Sequence, residues 1–253
     1  MSLSFFRCAT CLICLFATGC SRRYRDDLDY SYHVVQTWSL EGLANGDIVQ
    51  FESVFWEPDD TVSLRELITE DQCASGRKVL EIGTGTGILG ILCLQNGADE
   101  VVVTDINPAA VANARYNAAM LATETEMEVR QVSKGSPAAF SVIKSGERFD
   151  LIISNPPWED GEVITPADHA YYDPDFALMD SLLDGLPQHL NPGGRCLLAY
   201  GHVLAIKRLQ SESESRGYQL KILDDRSIDE LEKDFLPGML IEIRVPIAAK
   251  SSK

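Results

Sequence analysis

The chain has 253 residues, 45% of them hydrophobic, and a mean hydropathy of −0.06, which suits one soluble globular α/β domain with short additions. With 38 acidic against 22 basic side chains the formal charge is −16, which excludes a broad phosphate-gripping surface, because nonspecific nucleic-acid affinity comes from Lys and Arg. Part of the excess acid, Asp224, Asp225, Asp229, Glu230, Glu232 and Asp234, reads as a solvated face.

Residues 1–20, MSLSFFRCATCLICLFATGC, carry one arginine, an apolar run over 8–18 and then Gly19-Cys20. The segment resembles a bacterial lipoprotein signal peptide with Cys20 as the lipidated residue, which would make the protein an exported lipoprotein. Arg22, Arg23 and Arg25 follow directly, and positive charge holds its side of an apolar segment in the cytoplasm. A cleavable signal, a cytoplasm-facing membrane anchor and a start codon assigned too early all stay open. Cys8, Cys11 and Cys14 lie in unbroken apolar sequence with no partner cluster of Cys and His downstream, so no metal site is expected. Cys73, Cys93 and Cys196 are scattered and read as small buried hydrophobes. Residues 21–47 are expected to be a linker and N-terminal extension, 48–246 the folded domain and 247–253 a tail.

Alternating apolar positions over 47–52 and 53–56 predict a short hairpin packed over the open side of a sheet. Pro58-Asp59-Asp60-Thr61 offers a turn and a cap for a helix with the apolar face Val62, Leu64, Leu67 and Ile68, ending near Asp71. Next, a buried strand over 79–82 runs into Gly83-Thr84-Gly85-Thr86-Gly87 and an apolar helix that stops at Gly97. Only Gly lets a backbone turn that tightly and lie against a ligand, so an α/β sheet builds a nucleotide pocket in this way. A second strand, 101–105, ends on Asp105, 22 residues after Gly83, the spacing at which a carboxylate accepts both hydroxyls of a ribose.

Asn107-Pro108 opens a helix over 109–121, followed by strands at 128–132 and 149–154 and a helix over 176–190. Asn191-Pro192-Gly193-Gly194 predicts a turn before a strand at 195–200, a helix at 203–213 and a strand at 218–223. A short acidic helix and a strand at 239–245 finish the chain, with Pro237-Gly238 as a short return link that makes the last strand antiparallel. Strand and helix alternating in this way predict a doubly wound, mostly parallel sheet.

A dinucleotide fingerprint needs G-x-G-x-x-G, but Ile stands at 88 and the third glycine at 87, which counts against a nicotinamide cofactor. The run E-I-G-T-G-T-G followed by T-D-I-N-P resembles instead the S-adenosylmethionine (SAM) methyltransferases. That resemblance implies a class I methyltransferase fold, Rossmann-like and doubly wound, with SAM as cofactor. It places Glu81, Gly83, Thr84, Gly85 and Gly87 at the amino-acid end of SAM, Asp105 and Ile106 at its ribose, and Asn155 at the methyl group. It also implies that the Pro58 turn and its helix cover the cofactor, so Thr61 or Asp60 either touches it or only caps the helix. The residue that would touch adenine falls at Ser133 or Lys134.

Asn155-Pro156-Pro157-Trp158 follows a buried strand and so emerges at the same sheet edge as the glycine turn. The two prolines stiffen the turn, and the Asn155 side-chain oxygen and Pro156 carbonyl can both accept from one NH2 group. Trp158 offers a flat face for a base or an amide plane. An amide or exocyclic amine nitrogen is a poor nucleophile, because its lone pair is delocalised. Two fixed acceptors favour pyramidalisation and aim that lone pair at the sulfonium methyl.

This NPPW motif resembles that of the amino and amide N-methyltransferases. With the run Tyr172-Asp173-Pro174-Asp175-Phe176-Ala177-Leu178 and Asp184-Gly185-Leu186, it is similar to the release-factor glutamine methyltransferases (HemK-like) and the wider methyltransferase small domain set, over residues 48–246. The resemblance makes Asn155, Pro156 and Trp158 the catalytic residues. It implies transfer to a protein glutamine, with a nucleobase amine of RNA or DNA as the alternative, and hence a cytoplasmic enzyme. The glutamine enzymes carry a helical N-terminal substrate domain that the mixed stretch before residue 48 does not match. A noncatalytic SAM-binding module tethered to a membrane and a nicotinamide oxidoreductase are the remaining readings. His169 and His202, near the expected mouth, read as surface or structural residues.

Overall fold

The computed structural model describes residues 25–227, apart from 57 and 122, and residues 234–246. The signal-like segment with Cys8, Cys11, Cys14 and Cys20, most of the expected acidic helix and the tail lie outside the described residues. A small sheet pairs Val34–Trp38 (β1) antiparallel with Ile48–Phe51 (β2). The main sheet contains Lys78–Ile82 (β3), Glu100–Asp105 (β4), Met127–Gln131 (β5), Phe149–Ser154 (β6), Leu190–His202 (β7), Gln219–Ile222 (β8) and Phe235–Arg244 (β9). Their order is β5-β4-β3-β6-β7-β9-β8. The five strands from β5 to β7 are parallel, and β9 runs against both of its neighbours.

Helices Val62–Thr69 (α1), Ile88–Gln95 (α2) and Pro108–Met120 (α3) cover one face, packing on Val79, Val101, Val103, Leu151 and Ile153. Ala177–His189 (α4) and Val203–Ser215 (α5) cover the other, on Leu80, Val102, Ile152, Leu198 and Ile241. Strands buried on both faces read as unbroken apolar runs, which is why β3, β4 and β6 stand out in the sequence. Cys73, Cys93 and Cys196 are buried and unpaired.

Three local expectations are corrected. The partner of β2 is β1, upstream, and residues 53–56 form no strand. Most of β1 is exposed, so no alternation marked it, and an extension that ends at 47 cuts the small sheet in two. Asn191-Pro192-Gly193-Gly194 is looped out inside β7, where Phe149 pairs with Leu190 but Leu151 pairs with Arg195. Pro237-Gly238 is likewise not a link before β9 but an irregularity within it, between the Tyr200–Met239 and His202–Phe235 pairs. Gly238 is required there, because a Cβ would collide with the Asp60 carbonyl.

The small sheet hangs on α3. Asn117, fully buried, accepts from Val49 N at 3.0 Å and donates to the carbonyls of Val49 and Thr86 at 2.8 Å. Asn113 donates to the Val49 carbonyl at 2.8 Å and accepts from Phe51 N at 2.9 Å. One asparagine therefore ties the sheet to the glycine turn. At the opposite end of the main sheet, Arg130 pairs with Glu147 at 2.6 Å, and Lys78 bridges Glu147 and Glu100. The hydrogen bonds from Arg130 hold the Glu147 carboxyl down at about 2.

Candidate active site

The turn after β3 is held from both sides. Gly83 N and Thr84 N donate to the Thr104 carbonyl at 2.9 and 3.0 Å, and Gly85 N donates to Asp105 Oδ2 at 2.9 Å. The Thr84 hydroxyl and Gly90 N donate to Glu81 Oε2 at 2.8 and 3.0 Å. Burial pushes the Glu81 carboxyl up to about 8, against the two hydrogen bonds that it accepts from Thr84 and Gly90. Gly83, Gly85 and Gly87 have φ of +75°, +54° and +88°, where a side chain would be strained. Their surroundings divide the three. A Cβ at 83 would meet nothing within 4 Å, while one at 87 would lie 3.1 Å from the Ala114 Cα. Gly83 therefore borders open space, and Gly87 lets α3 approach the turn.

The open space is a cavity of about 400 Å³, within the usual range for small-molecule sites. Its wall includes Glu81, Gly83, Thr84, Gly85, Asp105, Ile106, Asn155 and Pro156. Seven of the eight residues expected at the cofactor thus meet here, and Gly87 stands behind them. Asp105 accepts from Gly85 N and, through Oδ1, from Asn107 N at 2.8 Å. Burial raises its pKa, opposed by these N–H groups. Ser154 donates to the Ile82 carbonyl at 2.6 Å, locking the end of β6 to the end of β3. The next side chain, Asn155, has a buried Oδ1 without a partner.

Trp158 is not brought to this wall. Its indole N–H donates to the Ala199 carbonyl at 3.0 Å and its ring lies against Gly201, where no Cβ would fit. Its own carbonyl accepts from His202 Nδ1 at 3.1 Å, and His202 stacks on Phe235. The expected stacking platform is instead a brace that fixes the Asn155 loop to β7. His169 does line the cavity, half-buried, its pKa lowered by burial and then by Lys134. After β5 the wall is Val132 with Pro137 and Ala138, and Ser133 and Lys134, where the adenine contact was expected, are not part of it.

Several wall residues were not recognised in the sequence. Leu40, Phe55 and Trp56 come from the β1–β2 region and Arg65 from α1, whereas Thr61, just before α1, was one of the two residues expected there. Thr61 makes no capping hydrogen bond, so its place on the wall is what remains of the two roles expected for it. Tyr172 and Asp173 close the far side. Asp173 is spent on the N-terminus of α4, accepting from Leu178 N and Met179 N at 2.8 and 3.0 Å. Phe55 meets Tyr171 edge-on at 5.4 Å.

The residues fit SAM: a carboxylate at the end of β4, a turn whose missing Cβ atoms leave room, and an unpaired acceptor nearby. A parallel sheet with one reversed strand and a ligand cavity at the strand ends define a class I, Rossmann-like methyltransferase. The methyltransferase small domain family matches residues 60–214, and the chain belongs to that family. Its cofactor is therefore SAM, and the nicotinamide reading falls.

Among similar proteins, the release factor glutamine methyltransferase of Cereibacter sphaeroides is 35% identical over 135 residues, 49% of this chain and 46% of its own length. The ribosomal RNA small subunit methyltransferase C of Erwinia tasmaniensis is 32% identical over 137 residues, 54% of this chain and 34% of its own. This chain thus spans less than half the length of either relative. A 16S rRNA N2 methyltransferase of T. thermophilus, solved with AdoMet and guanosine, shares the fold with a TM-score of 0.55 at 18% identity, over 83% of this chain and 50% of that one.

Proposed function

We propose that this protein is an N-methyltransferase that moves the methyl group of SAM to a planar amide nitrogen, the side chain of a protein glutamine. The observation that carries the reading is Asn155 Oδ1, a buried acceptor without a partner on the wall that the glycine turn shares. Leaving such an acceptor unmatched costs about 1–3 kcal/mol, a cost that a donor on the substrate removes. Pro157 brings no N–H to compete for the neighbouring carbonyl.

When bound, SAM supplies an electrophilic methyl on a sulfonium. Asn155 Oδ1 and the Pro156 carbonyl accept from the two hydrogens of the substrate NH2 and turn its lone pair toward that methyl, so catalysis is mostly positioning and electrostatics. No base is needed before attack, because the nitrogen becomes acidic only as it is methylated. Trp158 contributes by holding the loop, not by touching substrate.

The release factor relative supports glutamine as the target. A nucleobase amine is the second reading, favoured by the ribosomal RNA relative and opposed by the formal charge of −16. We place the catalytic domain from β1 to residue 246, and in the cytoplasm, where the methyl donor is made. Among the described residues no helix is long and apolar enough to cross a membrane. Lipid on Cys20 of the mature protein, read by N-terminal mapping and mass, would move it outside. The test of the activity is labelled-SAM transfer to cell extract, treated separately with protease and nuclease. Protease-sensitive label supports glutamine and nuclease-sensitive label the base. SAM binding with label in neither fraction leaves the noncatalytic module.

A further inference from the structure

No Lys or Arg stands between Arg25 and Arg65, the stretch that supplies Leu40, Phe55 and Trp56 to the cavity, or between Arg148 and Arg195, the stretch that supplies Asn155 and the loop after it. That loop leaves the NPPW motif and returns beside it, because Glu159 N donates to the Tyr171 carbonyl at 3.2 Å and Asp173 N to the Glu159 carbonyl at 2.7 Å. Pro166, His169, Ala170 and Tyr172 line the cavity while Ile164 and Tyr171 are 82% and 51% exposed, so the loop forms the cavity's rim. Residues 159–175 carry Glu159, Asp160, Glu162, Asp168, Asp173 and Asp175 and, His169 apart, no basic group. Asp160, Asp168 and Asp173 accept from backbone N–H groups. The side chains of Glu162 and Asp175 are exposed and, among the described residues, have no hydrogen bond or ion pair. Elsewhere acid is matched: Asp180 and Asp184 on α4 pair with Arg208 and Arg216, and Glu128 and Glu147 at the opposite end of the sheet pair with Arg130.

Asn155 Oδ1, the buried acceptor of the same wall, calls for an NH2 group, and the rim decides what can bring one. When a glutamine side chain enters the cavity, its main chain and its neighbours stay outside. At about 3.4 Å per extended residue, the nearest three or so on either side of the target lie within about 10 Å of the mouth, one Debye length at 0.1 M salt. Cations there are attracted, and the phosphates that accompany a nucleobase are repelled. Apolar contact is offered beside the charge, since Tyr171 meets Phe55 edge-on and Ile164 stands free, and the stems of Lys and Arg cover such surface while their heads stay in water. We propose that the rim over 159–175 selects a polypeptide whose target glutamine has Lys or Arg within about three residues, Glu162 and Asp175 facing the cations and Ile164 and Tyr171 their stems. The proposal rests on glutamine as the methyl acceptor and adds the sequence around it.

The test is labelled-SAM transfer to synthetic peptides that share a central glutamine and differ only in its flanking residues, Lys, Ala or Glu, at low and at high salt, by the wild type, Glu162→Lys and Asp175→Asn. Asn suits the left-handed backbone at 175, where φ is +56°, so this variant removes charge without adding strain. The wild type should use the Lys peptide with kcat/KM about threefold to tenfold above the Ala peptide, through KM, the worth of two exposed ion pairs, and should use the Glu peptide least. The preference should shrink to within about twofold near 1 M salt, where the Debye length is about 3 Å. Asp175→Asn should reduce it and Glu162→Lys abolish it. Equal use of the three peptides by the wild type overturns the proposal, as does a preference that survives high salt or both variants. Should either variant unfold, the wild-type peptides and their salt dependence still decide. Methylation of RNA in place of every peptide, or of no substrate at all by a protein that binds SAM, removes the glutamine reading and the proposal with it.

Discussion

Asn155→Ala separates the rate of this protein from its stability. Oδ1 is already buried without a donor in the free protein, so its desolvation has been spent before substrate arrives. Removing it should leave the melting temperature unchanged or slightly higher, since an unmatched buried acceptor costs about 1–3 kcal/mol. During the reaction the same oxygen faces an NH2 that becomes cationic, and its hydrogen bond strengthens as charge develops. Loss of a group that acts in this way lowers kcat by about 10²- to 10³-fold, or ~2.7–4 kcal/mol. Single-turnover transfer from labelled SAM would measure the rate, calorimetry the SAM affinity and thermal unfolding the stability. A rate within about threefold of wild type would refute the reasoning. A loss of SAM affinity as large as the loss of rate would do so too, because Asn155 would then only hold the cofactor.

Trp158→Phe keeps a ring but loses the N–H to Ala199, so it should cost about fivefold in kcat with KM unchanged, from about 1 kcal/mol of loop order; a stacking role would leave this variant fully active and raise KM in Trp158→Ala. Gly87→Ala must fit a Cβ 3.1 Å from Ala114 at φ +88° and should destabilise by about 1–3 kcal/mol, about 2–4 °C in Tm for each, read by thermal unfolding. Glu147 is held at about 2 in the fold against an ordinary 4.5, worth roughly 3 kcal/mol at neutral pH. Because its pKa is depressed, that stabilisation is complete above about pH 4.5 and lost as pH falls toward 2; urea unfolding of Glu147→Gln should show a deficit at pH 7 that closes in acid.

The half of the site that holds the cofactor was legible because backbone chemistry dictates it. Gly83, Asp105 and Asn155 each follow a buried strand, and topology alone carries strand ends to one edge. The other half depends on side-chain direction. Nothing local tells Trp158 to turn toward a carbonyl on β7, 41 residues away, rather than toward a ligand. Arg65 reads as an ordinary helix residue until α1 is packed beside α2. β1 was missed because its exposed residues show no period, and Pro237-Gly238 because a turn pair inside a strand looks the same as one between strands.

The grip of Asn113 and Asn117 on the β2 backbone has a consequence for how this protein can change. Those bonds end on main-chain groups of Val49 and Phe51, so they hold whatever side chains the hairpin presents. Leu40 and Phe55 can thus be exchanged over generations while the hairpin keeps its berth and the sulfonium-binding turn goes undisturbed. Selection can retailor what enters the mouth without rebuilding the machinery beneath it.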